Sequence, residues 1–267
     1  MKSLEEQAGP GQDGDRAAPV ALVTGAARRL GAAMARRLGA SGHRVAVHHR
    51  GSPREAAETV EAIRAAGGQA IAVAADLTDG TAIAATIATI EQAFGARPRI
   101  LVNNASVFEW DDLSSVTEDA LLRHYRTNLV APVLLTRQLA AGPPAGGRAG
   151  VIVNMLDQKL LAPNPDHLSY TLSKYALQGF TEVMARALAP AWRVCAIAPG
   201  YTLPAPDAPP GHFEREHDRT PLRRGPTPED IGATLDHIVA NQAMTGQIFT
   251  VDGGAFMALA ARDFSFR

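Results

Sequence analysis

The sequence predicts a single doubly wound α/β domain built on a seven-stranded parallel sheet. Three observations carry this reading. Seven short β-rich runs alternate with longer helical patterns along the whole chain. The runs are apolar on both faces, as strands covered by helices on two sides must be. The chain has 267 residues, 46% of them apolar, which is enough for one large core and ordinary for a single α/β domain.

In order, the expected strands are PVALVTG (19–25), RVAVHH (44–49), QAIAVAAD (69–76), RILVNNA (99–105), GVIVNM (150–155), WRVCAIAPG (192–200) and GQIFTVDGG (246–254). Between them, apolar residues at helical spacing mark 30–41, 53–66 and 81–94, a helical pair over 118–141, and 169–189. Each crossover between parallel strands is expected to be right-handed. No internal repeat and no interdomain linker interrupts the alternation. The patch AAGPPAGGRAG (140–150) reads as a surface turn. Residues 1–17 are acidic and Gly-rich, without an apolar signal core or an Arg/Ser bias, and read as a disordered extension to a domain over 18–267.

One stretch breaks the rhythm. Residues 201–228 carry seven prolines and two histidines without clean periodicity. An irregular segment of this length after the sixth strand, on the ligand-binding edge of such a sheet, is expected to form a substrate lid. Helix resumes behind Thr227 as N-cap, with Pro228 at the first helical position and Glu229 and Asp230 in the first turn.

Composition narrows the function classes. A net charge of −1 points to neither nucleic acid nor an anionic membrane surface. No apolar stretch reaches the ~20 residues of a membrane span. The single cysteine, Cys195, cannot form an internal disulfide and reads as a small hydrophobe in a buried strand. A soluble protein of the reducing cytoplasm is expected.

Two sites carry chemistry. The first strand runs into TGAARRLG (Thr24–Gly31) and then a helix. Gly25 permits the tight turn, and Gly31 lets the helix start pack closely while its unpaired N–H groups meet a pyrophosphate. The second strand ends in His48-His49-Arg50-Gly51-Ser52, with no carboxylate to hold a ribose 2′-hydroxyl. Arg50 instead suits a charge-assisted pair with a 2′-phosphate, and Ser52 adds a hydroxyl, so NADPH is the expected cofactor. His43, His48 and His49 are not at metal-ligand spacing and are expected to pack at strand ends, with no metal. The Arg28-Arg29 pair serves either this site or solvent.

At the second site Tyr170 and Lys174 stand four apart, about one helical turn, and share a face. An ammonium beside a phenol stabilises the phenolate, so the Tyr170 pKa is expected to fall from roughly 10 towards neutral. Asp157 lies thirteen residues upstream of Tyr170 (170 − 157 = 13).

This set resembles the short-chain dehydrogenase/reductase family, over residues 18 to 255, and within it the pteridine reductase and dihydromonapterin reductase branch. The family places a Ser where this chain has Asp157, and the pterin-reducing branch uses an Asp there. The resemblance implies a Rossmann-type domain and a homotetramer. It also implies Tyr170 as proton donor, Lys174 on the nicotinamide ribose, and Asn128 (in RTNLVAP) holding a relay water through its backbone carbonyl. The cofactor would contact Thr24, Gly25, Arg29, Leu30, Gly31, Arg50, Ser52, Asp76, Leu77, Asn104, Ala105, Ser106, Lys174, Pro199 and Gly200. Asp76 matches the residue that bonds the adenine amino group. Arg29 replaces the family's middle glycine and in this branch reaches both cofactor phosphate and substrate.

The substrate would lie against Phe108, Arg29, Asp157 and Tyr170. An ionised Asp157 only accepts hydrogen bonds, so a simple ketone meets a repulsive group where a Ser would donate. A pterin presents N–H donors, and Asp157 either accepts from them or, with a raised pKa, carries a proton itself. Phe108 matches the phenylalanine that sandwiches the pterin, since a flat aromatic face suits an offset-stacked heterocycle. Trp110 either walls the same pocket or packs. Alternatives are a ketone or 3-oxoacyl-type reductase of the same family, and a non-catalytic NADPH-binding sensor. Whether the tail after Gly254 closes a neighbouring subunit's site is left open by the sequence.

Overall fold

The computed structural model describes residues 18–144, 147–205, 208–258 and 263, so the expected N-terminal extension lies outside the described residues. Seven parallel strands form one sheet in the order β3-β2-β1-β4-β5-β6-β7. They are β1 (Val20–Val23), β2 (Arg44–His49), β3 (Gln69–Ala74), β4 (Ile100–Asn103), β5 (Gly150–Met155), β6 (Trp192–Pro199) and β7 (Ile248–Val251). The helices are α1 (Arg29–Ala40), α2 (Pro53–Ala65), α3 (Gly80–Phe94), α4 (Glu118–Tyr125), α5 (Ala131–Ala140), α6 (Leu168–Ala187), α7 (His212–Asp218) and α8 (Pro228–Ala240).

Alternate residues of each strand feed opposite cores. Ala21 and Val23 join Met34, Leu38, Val60, Ile63, Ile231 and Leu235, from α1, α2 and α8. Val20 and Leu22 join Ile83, Ile87, Leu135 and Leu139, from α3 and α5. Helices therefore cover both faces, and the central strands β1, β4, β5 and β6 are buried along nearly their whole length. Cys195 is fully buried in β6, and the surrounding protein pushes its thiol pKa up.

Local sequence starts the helices as expected. Asp79 accepts the Thr81 N–H at 2.8 Å ahead of α3. At α8, Thr227 and Asp230 form a reciprocal capping box.

Three expectations need correction. The strands β3 and β7 are not buried on both faces; they are the sheet edges and stay partly open to solvent. The segment 201–228 is not wholly irregular, because α7 lies inside it. The helical pair over 118–141 is one continuous rod, in which a π-turn (Arg126–Val130) joins α4 to α5.

Candidate active site

The chain reverses direction across the sheet between β1 and β4, and the cleft opens above their carboxyl ends. It holds about 1390 Å³ of empty space, part of it open to solvent. Gly25 sits at φ +61°, where a side chain would be strained, and a Cβ there would press on the Ala105 backbone at 2.9 Å. A Cβ on Gly31 would collide with the Gly25 carbonyl and the Asn104 amide.

Asn104 donates from its side chain to the carbonyls of Thr24 (2.9 Å) and Gly25 (3.1 Å). The Thr24 hydroxyl accepts the N–H groups of Asn104 and Ala105, each at 2.9 Å. These bonds fix the turn against the end of β4, so a phosphate group would meet the N–H groups at the start of α1.

The histidine expected merely to pack has a definite task. His48 accepts the Gly25 N–H on Nδ1 at 3.1 Å and sends Nε2–H to the Ala75 carbonyl at 3.1 Å. Burial lowers its pKa to about 4, so it stays neutral and tautomerically fixed as a brace between the turn and β3.

Arg50 and Ser52 stand exposed or half-exposed at the cleft edge, beside Asp76, whose carboxylate accepts from the Thr78 N–H (2.9 Å) and hydroxyl (2.7 Å). Leu30, Leu77 and Ser106 line the same cleft. Ser52 is the N-cap of α2, but its hydroxyl makes no capping bond. A guanidinium, a hydroxyl and a helix N-terminus converge there without a carboxylate at the end of β2, which fits a 2′-phosphate. Across the sheet, Gly200 follows Pro199 so closely against Asp252 that a Cβ would lie 2.7 Å from the Asp252 Cβ.

The reactive groups meet as the sequence expects, with one reversal. Tyr170 donates its hydroxyl to Asp157 Oδ2 at 2.8 Å, and the other carboxylate oxygen accepts the Lys159 N–H at 2.8 Å. Lys174 is 3% exposed as a residue, lies 5.5 Å from the Tyr170 ring centroid, and donates to the Met155 carbonyl at 2.7 Å. Burial lowers the Lys174 pKa to about 8. Burial also raises Asp157 and, with the adjacent Asp157 carboxylate, holds Tyr170 well above 10. The expected drop of the Tyr170 pKa is therefore not found. Tyr170 is buried and donates to an acid, and both effects oppose the phenolate.

Asn128 is locked by its side chain, which accepts the Val107 N–H (2.8 Å) and donates to the Val107 carbonyl (3.0 Å) and Ser173 Oγ (2.9 Å). It lies in the π-turn. The residue four positions on is Pro132, which has no N–H to send to the Asn128 carbonyl, so a regular α-helical bond to it is impossible. That Pro was the available signal for the π-turn.

On the substrate side, Phe108 is 49% exposed. One of its faces is covered by His167 (centroids 4.1 Å apart, 21° between planes), and Tyr170 meets it edge-on at 4.6 Å. Trp110 is 48% exposed. Arg29, at φ +54°, reaches over the cleft and donates twice to the Pro204 carbonyl, at 3.1 and 3.2 Å. A second cavity, with about 640 Å³ of empty space that is partly open to solvent, lies between the loop after β5 and segment 201–228, with Gln158, Tyr201, Glu216, His217 and Asp252 in its wall. From the tail, Asp263 is buried against its own chain, 3.4 Å from Lys159 Nζ and donating its N–H to Asp166 at 2.8 Å.

Among the described residues no helix is long and apolar enough to cross a membrane. The short chain dehydrogenase profile matches residues 19–209. An uncharacterized oxidoreductase of Methylorubrum extorquens is 33% identical over 243 residues, covering 88% of this chain and 96% of the relative. The 3-oxoacyl-[acyl-carrier-protein] reductase FabG of Staphylococcus aureus is 32% identical over 242 residues, covering 89% and 98%. Among solved structures, FolM, alternative dihydrofolate reductase 1, from Brucella canis in complex with NADP superposes with a TM-score of 0.82 at 37% identity, covering 91% of this chain and 96% of that one.

Proposed function

The chain belongs to the short chain dehydrogenase family, and on that premise we propose that it uses NADPH to reduce a dihydropterin to its tetrahydro form. The observation that carries the pterin reading is the Asp157–Tyr170 contact of 2.8 Å beside the half-exposed Phe108, whose ring lies 4.6 Å from that of Tyr170. It places an acceptor, a proton donor and a stacking surface around one spot. NADPH supplies the hydride. Arg50 and Ser52 hold its 2′-phosphate, and the Thr24–Gly31 turn its pyrophosphate.

Tyr170 is a phenol at cell pH and delivers its proton to the substrate nitrogen. Lys174, buried beneath, holds the ribose and stabilises the phenolate left behind. Asp157 holds the ring N–H groups of the pterin, for which a serine hydroxyl is a poorer acceptor than a carboxylate. Phe108 has one face committed to His167 and offers the other to the heterocycle. Segment 201–228 closes over the bound substrate. A cytoplasmic homotetramer completes the proposal, with exposed Leu172, Tyr175 and Val183 on α6 as apolar contact residues.

The likeness to FabG favours a second reading, reduction of a 3-oxoacyl thioester. Against it stands Asp157, a carboxylate where a carbonyl oxygen needs a donor. A panel of dihydrobiopterin, dihydromonapterin, dihydrofolate and acetoacetyl-CoA, followed by NADPH consumption, decides between them. Asp157→Ser is expected to lower pterin turnover while ketone turnover holds or rises. Good ketone reduction with no dihydropterin turned over establishes the second reading instead.

A further inference from the structure

The start of α6, which carries Tyr170 and Lys174, does not cap itself. His167 precedes it at φ +54° and makes no side-chain cap. The work is done by Asp111, 58 residues earlier in sequence, on the loop that follows β4. Its backbone carbonyl accepts the Leu168 N–H at 3.1 Å, one carboxylate oxygen accepts the Ser169 N–H at 3.0 Å, and the other accepts the Ser169 hydroxyl. Asp111 is 5% exposed and Ser169 is fully buried, so these bonds are made away from water. A carboxylate at a helix N-terminus also meets the positive end of the helix dipole.

The same loop touches the helix start twice more. The His167 ring bonds the Glu109 carbonyl through Nδ1 at 3.1 Å, and Phe108 stacks on that ring. Ser169 is the residue immediately before Tyr170. The loop that carries the stacking surface is thus tied to the helix start that carries the proton donor, and the Asp111 carboxylate makes the two bonds at Ser169.

We propose that Asp111 is a positioning residue, which sets the start of α6 against the Phe108 loop and so fixes the Tyr170 hydroxyl relative to Asp157 and to the substrate. This rests on Tyr170 being the proton donor but not on the substrate being a pterin. Removing the carboxylate leaves the Ser169 N–H and hydroxyl to rearrange, and a displacement of about 1 Å at a reacting group is enough to lower turnover on the order of 10²-fold.

The test compares Asp111→Ala, Asp111→Asn and Ser169→Ala with the unmutated protein, well below each protein's melting temperature. The substrates are a dihydropterin, acetoacetyl-CoA and a 1,2-diketone, and whichever the unmutated protein reduces fastest is used for kinetics. If only the dihydropterin is ignored, the pterin reading fails and this one is still read on the others. For Asp111→Ala the expected result is a fall in kcat of about 10–100-fold at saturating NADPH, with NADPH affinity unchanged because the 2′-phosphate and turn contacts lie at the far end of the cleft. Asp111→Asn keeps an acceptor for the Ser169 N–H and is expected to restore most of the loss, whereas restored stability without restored kcat opposes the proposal. Ser169→Ala is expected to fall between them. An Asp111→Ala protein with a lowered melting temperature but unchanged kcat overturns the proposal. Should Asp111→Ala not fold, unchanged kcat in Ser169→Ala, which removes the hydroxyl that the carboxylate holds, is the overturning result. A kcat loss in Ser169→Ala at unchanged NADPH affinity supports it.

Discussion

The two ends of the cleft are held in different ways. At the cofactor end the geometry is set mainly by backbone: Gly25 at φ +61°, Gly31 with no room for a side chain, and main-chain groups of the turn and of β4's end held by hydrogen bonds to the Asn104 and Thr24 side chains. At the substrate end it is set by side chains that meet across long stretches of chain: Asp157 with Tyr170, Phe108 with His167, Arg29 with the Pro204 carbonyl. A frame built from backbone leaves little for individual side chains to choose except the phosphate at its rim. A frame built from side chains can be retuned for another substrate by one substitution. The two ends are therefore expected to fail separately.

The largest expected effect tests that separation directly. Tyr170→Phe keeps the ring that Phe108 and Lys174 pack on but removes the donated proton, so turnover falls by about 10²–10⁴-fold while NADPH binding survives. Fluorescence titration with NADPH and steady-state kinetics on the same sample check both halves. Turnover near that of the unmutated protein assigns proton delivery to Asp157 or water.

Lys174 belongs to both ends, and its burial has a consequence for stability. Its pKa falls from 10.5 to about 8 on folding. Between those values the unfolded chain holds more protons than the folded one, so this group makes stability rise with pH there. Below pH 8 the folded protein bears the cost of a buried ammonium, at most about 3 kcal/mol. Relative to the unmutated protein, Lys174→Met is expected to be more stable at pH 7 and to lose that advantage progressively up to pH 10.5. Thermal melts at several pH values read the difference, and a gap that does not narrow refutes it.

Arg50→Ala probes the rim of the cofactor end. A partly exposed charge-assisted contact contributes roughly 1.5–3 kcal/mol, about ten- to a hundredfold in affinity. NADPH is expected to bind much more tightly than NADH, and the substitution to erase most of that gap without changing kcat at saturation. Equal affinities in the unmutated protein sink the assignment of Arg50.

The same contrast explains what was legible in the sequence. Strands, long helices, the Gly25–Gly31 turn and the Thr227 cap follow local patterns of a few residues, and all are found where expected. The helix α7 is only seven residues long and sits among prolines, too short to show a period. Asp111 and Asp263 act on partners 58 and 104 residues away, and no local pattern records such a pairing. The direction of the Tyr170 shift is not legible, because sequence spacing shows Lys174 one turn away but not that burial and Asp157 oppose it. His48 looked like packing because its two hydrogen bonds link three different segments.

The smallest expected effect belongs to Phe108. Its covered face makes it a fixed platform, since His167 stacks on one side at 4.1 Å and the Tyr170 ring packs perpendicular to it at 4.6 Å. Phe108→Ala removes the platform and uncovers His167, leaving Tyr170 and Asp157 bonded to one another. Lost stacking weakens a heterocyclic substrate by about 0.5–1.5 kcal/mol beyond its contact area, which appears as a raised KM for a dihydropterin. A flexible 3-oxoacyl thioester has no flat ring to stack and should show little change. NADPH affinity should hold, because the cofactor end is braced by Thr24 and by Asn104 at the start of this loop, through bonds that do not involve the Phe108 ring. Equal losses for dihydropterin and thioester mean that Phe108 supports the site without recognising a ring, and the substrate end then owes its selectivity to Asp157 and segment 201–228 alone.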